Sequence, residues 1–235
     1  MRATVLALCW LTMGIGIARA ETTGEPAPKP YLDSAALDLT RLLPPPPLAD
    51  SAETKSELGD LLVVQVTRTP EMVARAQADA IEEVWRFADV LGPRFVPDTL
   101  PKTTALFERL VATDMAVVDP AKASFGRSRP SMVSDLVRPV VKPSTSGSWP
   151  SAHAALGTLM GLVLSEMLPE KRTTLMERAR VYAENRIVAG AHFPSDVAMG
   201  RVSGTVIAAA LFKDSAFATD YAAAKAELRT VLGVE

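Results

Sequence analysis

The chain has 235 residues, with 25 Lys and Arg against 27 Asp and Glu, for a formal net charge of -2. Hydrophobic residues make up 48% and charged residues 22%, a composition that excludes disorder over most of the chain. The near-neutral charge argues against a nucleic-acid polymer as partner, because such binders depend on many Lys and Arg contacts to phosphate. One cysteine and two histidines exclude a disulfide framework, a Cys-based zinc site and a histidine-rich metal cage.

The first 20 residues predict a secretory signal peptide, residues 1–20. Arg2 supplies a short positive region, residues 3–18 carry no charge, and an A-x-A cleavage site ends this stretch. The uncharged run is shorter than the roughly 20 residues that a membrane span requires, and no later segment is expected to be long and apolar enough to span a bilayer. We therefore expect a periplasmic protein without stable membrane insertion, cleaved before Glu21 and thereby freed of its single cysteine, Cys9.

Residues 21–48 are rich in proline. We expect them to form an N-terminal segment that precedes a helical domain at residues 49–235. Residues 21–30 read ETTGEPAPKP and predict a flexible lead-in. Residues 42–48 read LLPPPPL, and four successive prolines force a polyproline II stretch. A stiff connector draped on the domain is the favoured interpretation, and a ligand for an SH3-type domain is the alternative.

Hydrophobic periodicity beyond residue 48 predicts helices almost throughout. The second of them starts at Pro70 and ends at Gly92, and the third is expected to bury Leu106, Leu110 and Met115. Strand-like alternation is nearly absent, so we predict an all-α, single-domain helix bundle. The predicted helices span residues 51–67, 70–91, 101–118, 152–168, 169–189, 195–212 and 216–232.

Three short segments fit neither a core nor a linker. Residues 122–130 read KASFGRSRP and contain three cations, among them Arg127. Residues 147–153 read GSWPSAH, and residues 185–196 read NRIVAGAHFPSD. Together they contain both histidines of the chain, and they are the candidates for a functional site.

The cations of these segments suit an anion. Arg186 interrupts an inward-facing helical row, and a buried guanidinium costs several kcal/mol unless it has an anionic partner. The planar fork of arginine matches phosphate or carboxylate. Lys122, Arg129 and Arg186 would together neutralise the oxygens of a phosphoryl group. The other members of the row are Leu175, Ala179 and Tyr182.

The histidines complete a phosphate pocket. Asp196 follows His192 by four residues, and a carboxylate at that range fixes the tautomer and orientation of the ring. Ser151 and His153 lie at a predicted helix start, where backbone N–H groups bind anions. The two imidazoles could then attack and protonate in line. Each segment also has a plain structural explanation when it is considered alone. The first would be a solvated basic surface, the second an ordinary N-cap with a surface histidine, and the third a His–Asp pair that holds a loop in place.

The three segments together resemble the signature of the phosphatidic acid phosphatase type 2 superfamily, which is K-x6-R-P, then P-S-G-H, then S-R-x5-H-x3-D. In this chain the three parts begin at Lys122, Pro150 and Asn185. The proline run, GSWPSAH and AGAHFPSDV look like the bacterial class A non-specific acid phosphatases, and the likeness covers most of the mature chain. The superfamily also includes membrane lipid phosphatases and vanadium-dependent haloperoxidases.

The resemblance implies the all-α acid phosphatase/vanadium-dependent haloperoxidase type of fold and metal-independent, cofactor-free hydrolysis of phosphate monoesters with broad specificity. It implies that His192 is the nucleophile that forms a phosphohistidine, that Asp196 holds it, and that His153 is the general acid and then the base. Inorganic phosphate or vanadate are the expected site ligands, and relatives of this kind make a homodimer an expected assembly. The implied phosphate-binding residues are Lys122, Arg129, Ser151, Ala152 and Arg186.

Two positions depart from the family pattern. Ala152 replaces the motif glycine, so its N–H remains but its Cβ could crowd the pocket or bar a positive φ. Asn185 replaces the motif serine and can still donate a hydrogen bond through its amide. We expect an altered activity or substrate range rather than lost chemistry. Phe125 and Trp149 lie inside the motifs, and they form either apolar walls for the organic part of the substrate or plain core.

Three other functions stay open on the sequence alone. A lipid or isoprenoid phosphate phosphatase belongs to the same superfamily, although the chain lacks the spanning helices of the membrane branch. A vanadate-dependent haloperoxidase would hold vanadate in the same pocket, but such chains are typically much longer. A non-catalytic periplasmic anion-binding protein is motivated by the departures at Ala152 and Asn185.

Overall fold

The computed structural model describes residues 27–234, which form nine α-helices joined by loops and short 3₁₀ turns, with no β-strand in that range. This confirms the predicted all-α fold. The predicted signal peptide and Cys9 lie outside the described residues. The helices are α1 (Ala52–Thr67), α2 (Pro70–Ala78), α3 (Ala88–Leu91), α4 (Pro101–Phe125), α5 (Pro130–Val133), α6 (Ala152–Met167), α7 (Arg172–Val188), α8 (Pro194–Leu211) and α9 (Ser215–Leu232).

Helix α6 lies at the centre of the bundle and packs most extensively on α7 and α8. It is apolar and buried on nearly all sides, as expected of a core helix. Glycines permit the close packing on both partners: a Cβ at Gly157 would lie 2.4 Å from the Tyr182 ring of α7, and one at Gly200 of α8 would lie 2.4 Å from the Ser151 carbonyl oxygen. The ends of α6, α7 and α8 that carry the sequence motifs are therefore held close together.

The described part of the proline-rich segment packs on the helical domain. Leu39 and Leu43 are buried in the main core. The Tyr31 backbone N–H donates to Thr113 Oγ1 at 2.9 Å, and its hydroxyl donates to Asp220 Oδ2 at 2.7 Å. In residues 27–48 the chain thus has the contacts of a connector that lies along the domain.

The predicted helix at residues 70–91 is wrong as a single element, because the chain leaves the helical path after α2. The buried Asp79 accepts hydrogen bonds from Arg178 and from Asn185, both on α7. Pairing this carboxylate outweighs continuation of the helix, since an unpaired buried charge is costly. The apolar row is buried nevertheless, at Ala76, Val84, Phe87 and Leu91.

The third predicted helix is longer than expected and faces differently at one position. Helix α4 continues through Pro120, a residue that usually ends or bends a helix. Met115, predicted to face inward, is 51% exposed. It follows Leu110 by five residues and so lies about half a turn from the buried stripe, where Asp114 takes the inward place at a spacing of four.

Within residues 27–234 no single helix has both the length and the apolar character of a membrane span. Helices α8 and α9 meet both criteria only when they are taken together, and the chain bends by 96° between them.

Candidate active site

All eight residues predicted for the site lie in one region. Five of them line a cavity of about 330 Å³. The other three lie behind its wall: His192 Nε2 is 3.0 Å from Arg129 Nη1, His192 Nδ1 is 3.5 Å from Asp196, and the Ser151 N–H donates to the Asp196 carbonyl at 3.0 Å. The five lining residues are Lys122, Arg129, Ala152, His153 and Arg186.

Lys122 enters the cavity from the last turn of α4. Gly126 ends this helix with a φ of +62°, in the left-handed region that favours glycine, and its N–H donates to the Lys122 carbonyl. A Cβ at Gly126 would have no atom within 4 Å, so this residue serves the turn rather than a close approach. The close approach occurs at Gly147, where a Cβ would lie 2.7 Å from the Lys122 carbonyl oxygen.

Arg129 is fixed by the loops on either side of it. Its Nε donates to the Ser146 carbonyl at 2.9 Å, and its Nη1 donates to the Ala191 carbonyl at 3.1 Å. The same Nη1 lies 3.0 Å from His192 Nε2. The guanidinium therefore covers one nitrogen of the His192 ring.

Arg186 comes from the last turn of α7, as the inward row predicted. It is 5% exposed, and its Nε and Nη1 atoms find no hydrogen-bond partner among residues 27–234. Burial and the nearby charge of Arg129 lower the pKa of both Arg186 and Lys122. A dianion in the cavity would relieve this crowding of positive charge. No group of three or more His, Cys, Asp or Glu in the described part of the chain is arranged to hold a metal ion.

The tautomer of His192 follows from its neighbours. Arg129 can only donate, so Nε2 must accept, and the proton of the neutral ring is on Nδ1. That nitrogen faces Ser148 Oγ at 3.3 Å and Asp196 Oδ2 at 3.5 Å. Burial, followed by the positive charges around the ring, holds the pKa of His192 well below its ordinary value. The result is a neutral imidazole whose Nε2 lone pair accepts a hydrogen bond from Arg129. The charges are those of Arg129, Arg186, Lys122 and His153.

Asp196 lies in the first turn of α8 and is fully buried. Its Oδ2 accepts from Ser148 Oγ at 2.5 Å and from the Phe193 N–H at 2.8 Å, and its Oδ1 accepts from Arg127 at 2.6 Å. Burial raises the pKa of Asp196, and these hydrogen bonds together with the Arg127 charge oppose that effect. The carboxylate is thus held in one orientation toward His192.

His153 projects from the first turn of α6 and is held by a loop that sequence analysis missed. Its Nε2 donates to the Ala80 carbonyl at 3.0 Å, and its Nδ1 lies 3.0 Å from Glu82 Oε1. A doubly protonated ring satisfies both acceptors. Burial by itself would raise the pKa of Glu82, but the His153 hydrogen bond and the charges of Lys122 and Arg186 leave it lowered. No motif marks Glu82, which lies in the stretch predicted as continuous helix.

The chain matches the family model described as PAP2 superfamily over residues 106–220. It is 31% identical over 195 residues to the non-specific acid phosphatase of Salmonella typhimurium, which covers 79% of this chain and 78% of that protein. The chain belongs to the PAP2 superfamily. It is a phosphomonoesterase of the class A acid phosphatase type.

A second sequence relative and one solved structure are also similar to this chain. The non-specific acid phosphatase of Providencia stuartii is 28% identical over 211 residues, covering 83% of this chain and 82% of that protein. A solved structure, the transmembrane PAP2 type phosphatidylglycerolphosphate phosphatase from Bacillus subtilis, is 17% identical and covers 70% of this chain and 89% of that chain, with a TM-score of 0.48. At that score we draw no conclusion from the likeness.

The two departures from the family motif have different structural consequences in this PAP2 acid phosphatase. Ala152 is the first residue of α6, and no residue other than glycine has a positive φ in the described chain, so alanine fits its backbone. Asn185 donates to Asp79 Oδ2 at 2.7 Å. This carboxylate also pairs with Arg178, so the Asn185 amide ties α7 to the end of α2 instead of pointing into the cavity.

The suggested apolar walls are not formed by Phe125 and Trp149, since neither lines the cavity of the acid phosphatase. Trp149 is buried, with the Arg127 guanidinium 5.6 Å from its ring centroid. Phe125 lines a separate surface cavity that includes Pro45, Pro46 and Pro47. Position inside a motif did not distinguish a cavity wall from core packing.

Proposed function

We propose that this PAP2 acid phosphatase hydrolyses phosphate monoesters of broad range through a phosphohistidine on His192, with no metal ion. The observation that supports this most strongly is a cavity in which the buried Arg186 has two nitrogen atoms without a hydrogen-bond partner among residues 27–234, beside a neutral imidazole. Its Nε2 lone pair is directed to Arg129, and the unpaired Arg186 atoms lie in the same cavity wall. Side-chain cations then supply the charge stabilisation that phosphoryl transfer requires.

In the first step, His192 Nε2 attacks phosphorus and the bond from phosphorus to the leaving oxygen breaks. Arg129 moves from Nε2 to a phosphoryl oxygen, where its charge pairs with the negative charge of the phosphoryl group. His153 gives its proton to the leaving oxygen, and for this it must exchange its hydrogen bond to Ala80 or Glu82. Asp196 stabilises the ring as positive charge develops on it.

In the second step, water attacks the phosphorus of the phosphohistidine. His153, now neutral, takes the proton from this water, and the bond between nitrogen and phosphorus breaks. Inorganic phosphate leaves, and His192 returns to the tautomer with the proton on Nδ1. The helix start at Ala152 offers a backbone N–H to the phosphoryl oxygens in both steps.

We propose that the leaving group lies in an apolar groove that continues from the cavity. Glu82, Met115 and Asp119 line both the cavity and this groove of about 710 Å³. Because Glu82 contacts His153, a leaving oxygen that faces His153 directs its organic group toward the groove. The groove also favours the alternative that lipid or isoprenoid phosphates are substrates. Its apolar walls are Ala27, Pro28, Pro30, Val111, Ala112, Met115 and Ala116.

We further propose that the protein is exported to the periplasm, on the basis of the signal-like sequence at residues 1–20. The predicted homodimer stays a prediction. Cleavage of the signal-like stretch in an expression host would be read from the mass of the mature chain, and a mature chain that begins at Met1 would contradict export by this route.

The function is tested by hydrolysis of p-nitrophenyl phosphate by the wild-type protein and His192→Ala, after dialysis against EDTA. We expect the variant to lose at least about 10³-fold in kcat, the scale seen when a nucleophile is removed. Orthovanadate should inhibit the wild type, since it mimics five-coordinate phosphorus. Inhibition by EDTA that one divalent metal reverses would overturn the metal-free mechanism, and equal turnover by His192→Ala would overturn the nucleophile.

A further inference from the structure

Arg127 is a buried cation of the first motif segment that the phosphate pocket does not use. Its Nη1 donates to Asp196 Oδ1 at 2.6 Å, and its Nη2 donates to Glu57 Oε2 at 2.7 Å. The guanidinium carbon lies 4.4 Å from the centroid of the Phe193 ring. Arg127 does not line the phosphate cavity. It therefore bridges a carboxylate of the site and a carboxylate of α1.

Glu57 is tied to the site by a second contact. Its Oε1 accepts the backbone N–H of Ser195 at 2.6 Å, one residue before Asp196. A single Glu57 carboxylate therefore holds both the arginine and the backbone of the first turn of α8. Glu57, Arg127 and Asp196 are all buried, so solvent screens these contacts weakly.

The bridge sets which oxygen of Asp196 meets the imidazole. Because Arg127 occupies Oδ1, the other oxygen faces Ser148 Oγ and His192 Nδ1, at 2.5 and 3.5 Å. Rotation of the carboxylate would break the Arg127 contact. Asp196 in this orientation supports the tautomer of His192 with the proton on Nδ1, in which the Nε2 lone pair faces Arg129.

We propose that Arg127 and Glu57 are positioning residues of the phosphatase: Arg127 holds Asp196 ionised and oriented so that His192 presents Nε2 to phosphorus, and Glu57 holds Arg127 and the Ser195 backbone in place. This inference rests on the proposed role of His192. Neither residue contacts the phosphoryl group, and both act through Asp196.

The charges around the His192–Asp196 pair give the two residues opposite electrostatic effects. Arg127 faces Asp196 on one side, and Arg129 faces His192 on the other. Loss of the Arg127 charge favours proton uptake by the pair, because this charge opposes the rise in the pKa of Asp196 that burial causes. Loss of the Glu57 charge disfavours proton uptake, because Arg127 then acts on Asp196 alone. Lys122, Arg186 and His153 act on His192 from the cavity in all cases.

The sign of the pH effect follows. Activity requires ionised Asp196 and neutral His192, so it falls as the pH drops through the protonation of the pair. Arg127→Gln should move the acid limb of kcat against pH to higher pH, with kcat reduced at least about tenfold and KM changed less than about threefold. Glu57→Gln should move the acid limb to lower pH. A role in folding alone would lower activity in both variants and move neither limb.

The experiment measures the pH profiles of wild type, Arg127→Gln, Arg127→Lys and Glu57→Gln with p-nitrophenyl phosphate, with unfolding in urea as the check on folding. Arg127→Lys should restore most of the acid limb, since one donor to Asp196 Oδ1 remains. Limbs that do not move, or that move in the same direction for both charge removals, would contradict the proposal, and Glu57→Gln supplies this test if Arg127→Gln does not fold.

A second measurement separates this proposal from the proposed function. The protonation of His192 is followed by the nitrogen resonances of its ring, which requires no turnover. Arg127→Gln should raise the midpoint of proton uptake and Glu57→Gln should lower it. A wild type without phosphatase activity would contradict the proposed function alone, whereas unshifted midpoints in an active enzyme would contradict the positioning role alone.

Discussion

Arg186 and Arg178 lie two turns apart on α7, both buried, and differ in what faces their guanidinium groups. Arg178 donates to both oxygens of Asp79, at 2.6 and 2.9 Å. Arg186 has two nitrogen atoms without a partner among residues 27–234 and lines the cavity. One arginine is paired within the fold, and the other is the arginine that we propose pairs with the phosphate of a substrate.

Replacement of each arginine by methionine should therefore have opposite effects on stability. Arg186→Met should raise the free energy of unfolding of the ligand-free protein by at least about 1 kcal/mol, because it removes an unpaired buried charge. Arg178→Met should lower it by about 3–5 kcal/mol, because the Asp79 carboxylate is left buried without a cationic partner. Unfolding in urea measures both, and a loss of stability in Arg186→Met would contradict the assignment.

Phosphate gives the complementary readout for the same two variants. At 100 times its Kd, phosphate should stabilise the wild type by about 2.7 kcal/mol. This gain should disappear in Arg186→Met and persist in Arg178→Met if that variant folds. A gain of equal size in Arg186→Met would contradict a role of this side chain in anion binding.

At this scale the motif spacing predicted which residues come together, and all eight lie in one region. Motif spacing could not predict the carboxylates that hold these residues in place. Glu82 and Glu57 are contributed by loops and helices without a motif, so only the tertiary structure brings them to His153 and Arg127. The sequence also predicted Met115 as a core residue, whereas it is exposed and lines the cavity. Its exposure depends on the helix register and not on the residue type.

Helix α8 carries Asp196 at its start and packs on α6, which carries His153 at its start. Gly200 permits this approach, since a Cβ there would lie 2.4 Å from the Ser151 carbonyl oxygen and 2.8 Å from the Ala154 Cβ. The distance between the two helix starts, and so the geometry of the site, depends on this contact.

Gly200→Ala should accordingly push α8 away from α6. We expect a loss of about 1–3 kcal/mol in the free energy of unfolding and a fall of at least about tenfold in kcat/KM. The matched control is Gly59→Ala on α1, where a Cβ would meet no atom within 4 Å; it should gain up to about 1 kcal/mol and keep full activity. Equal stability of the two variants would contradict the packing argument.

Helix prediction succeeded where one apolar stripe runs without interruption, as in α6, α8 and α9. It failed at residues 70–91, where the apolar spacing continues but a buried charge ends the helix. The Asp79 carboxylate needs Arg178 and Asn185, which lie about 100 residues later in the chain. Local periodicity contains no information on such a partner.

At the scale of the whole molecule, the proposed leaving-group groove combines apolar walls with an acidic rim. Glu82, Glu108 and Asp119 line it, and Glu108 and Asp119 are exposed. A leaving group that carries further phosphates would place negative charge beside these carboxylates, so aryl and alkyl monophosphates should be better substrates than polyanions.

Asp119→Asn should raise kcat/KM for a polyanionic substrate such as ATP by about two- to fivefold at low salt, and much less at high salt, where exposed charges are screened. Its kcat/KM for p-nitrophenyl phosphate should change less than for ATP, because this substrate places no further phosphate beside the acidic rim. The control Asp98→Asn removes an exposed carboxylate that lines neither the cavity nor the groove, and an equal gain there would show a general charge effect instead.

The proposed mechanism depends on transfer of the phosphoryl group to His192. This transfer is detected by a rapid quench of the enzyme with phosphate-labelled substrate, followed by peptide mapping. We expect an acid-labile, base-stable phosphoryl group on the peptide that contains His192, formed within the first turnover and not formed by His192→Ala. A burst of alcohol release with the label on another residue, or steady turnover by His192→Ala, would contradict it.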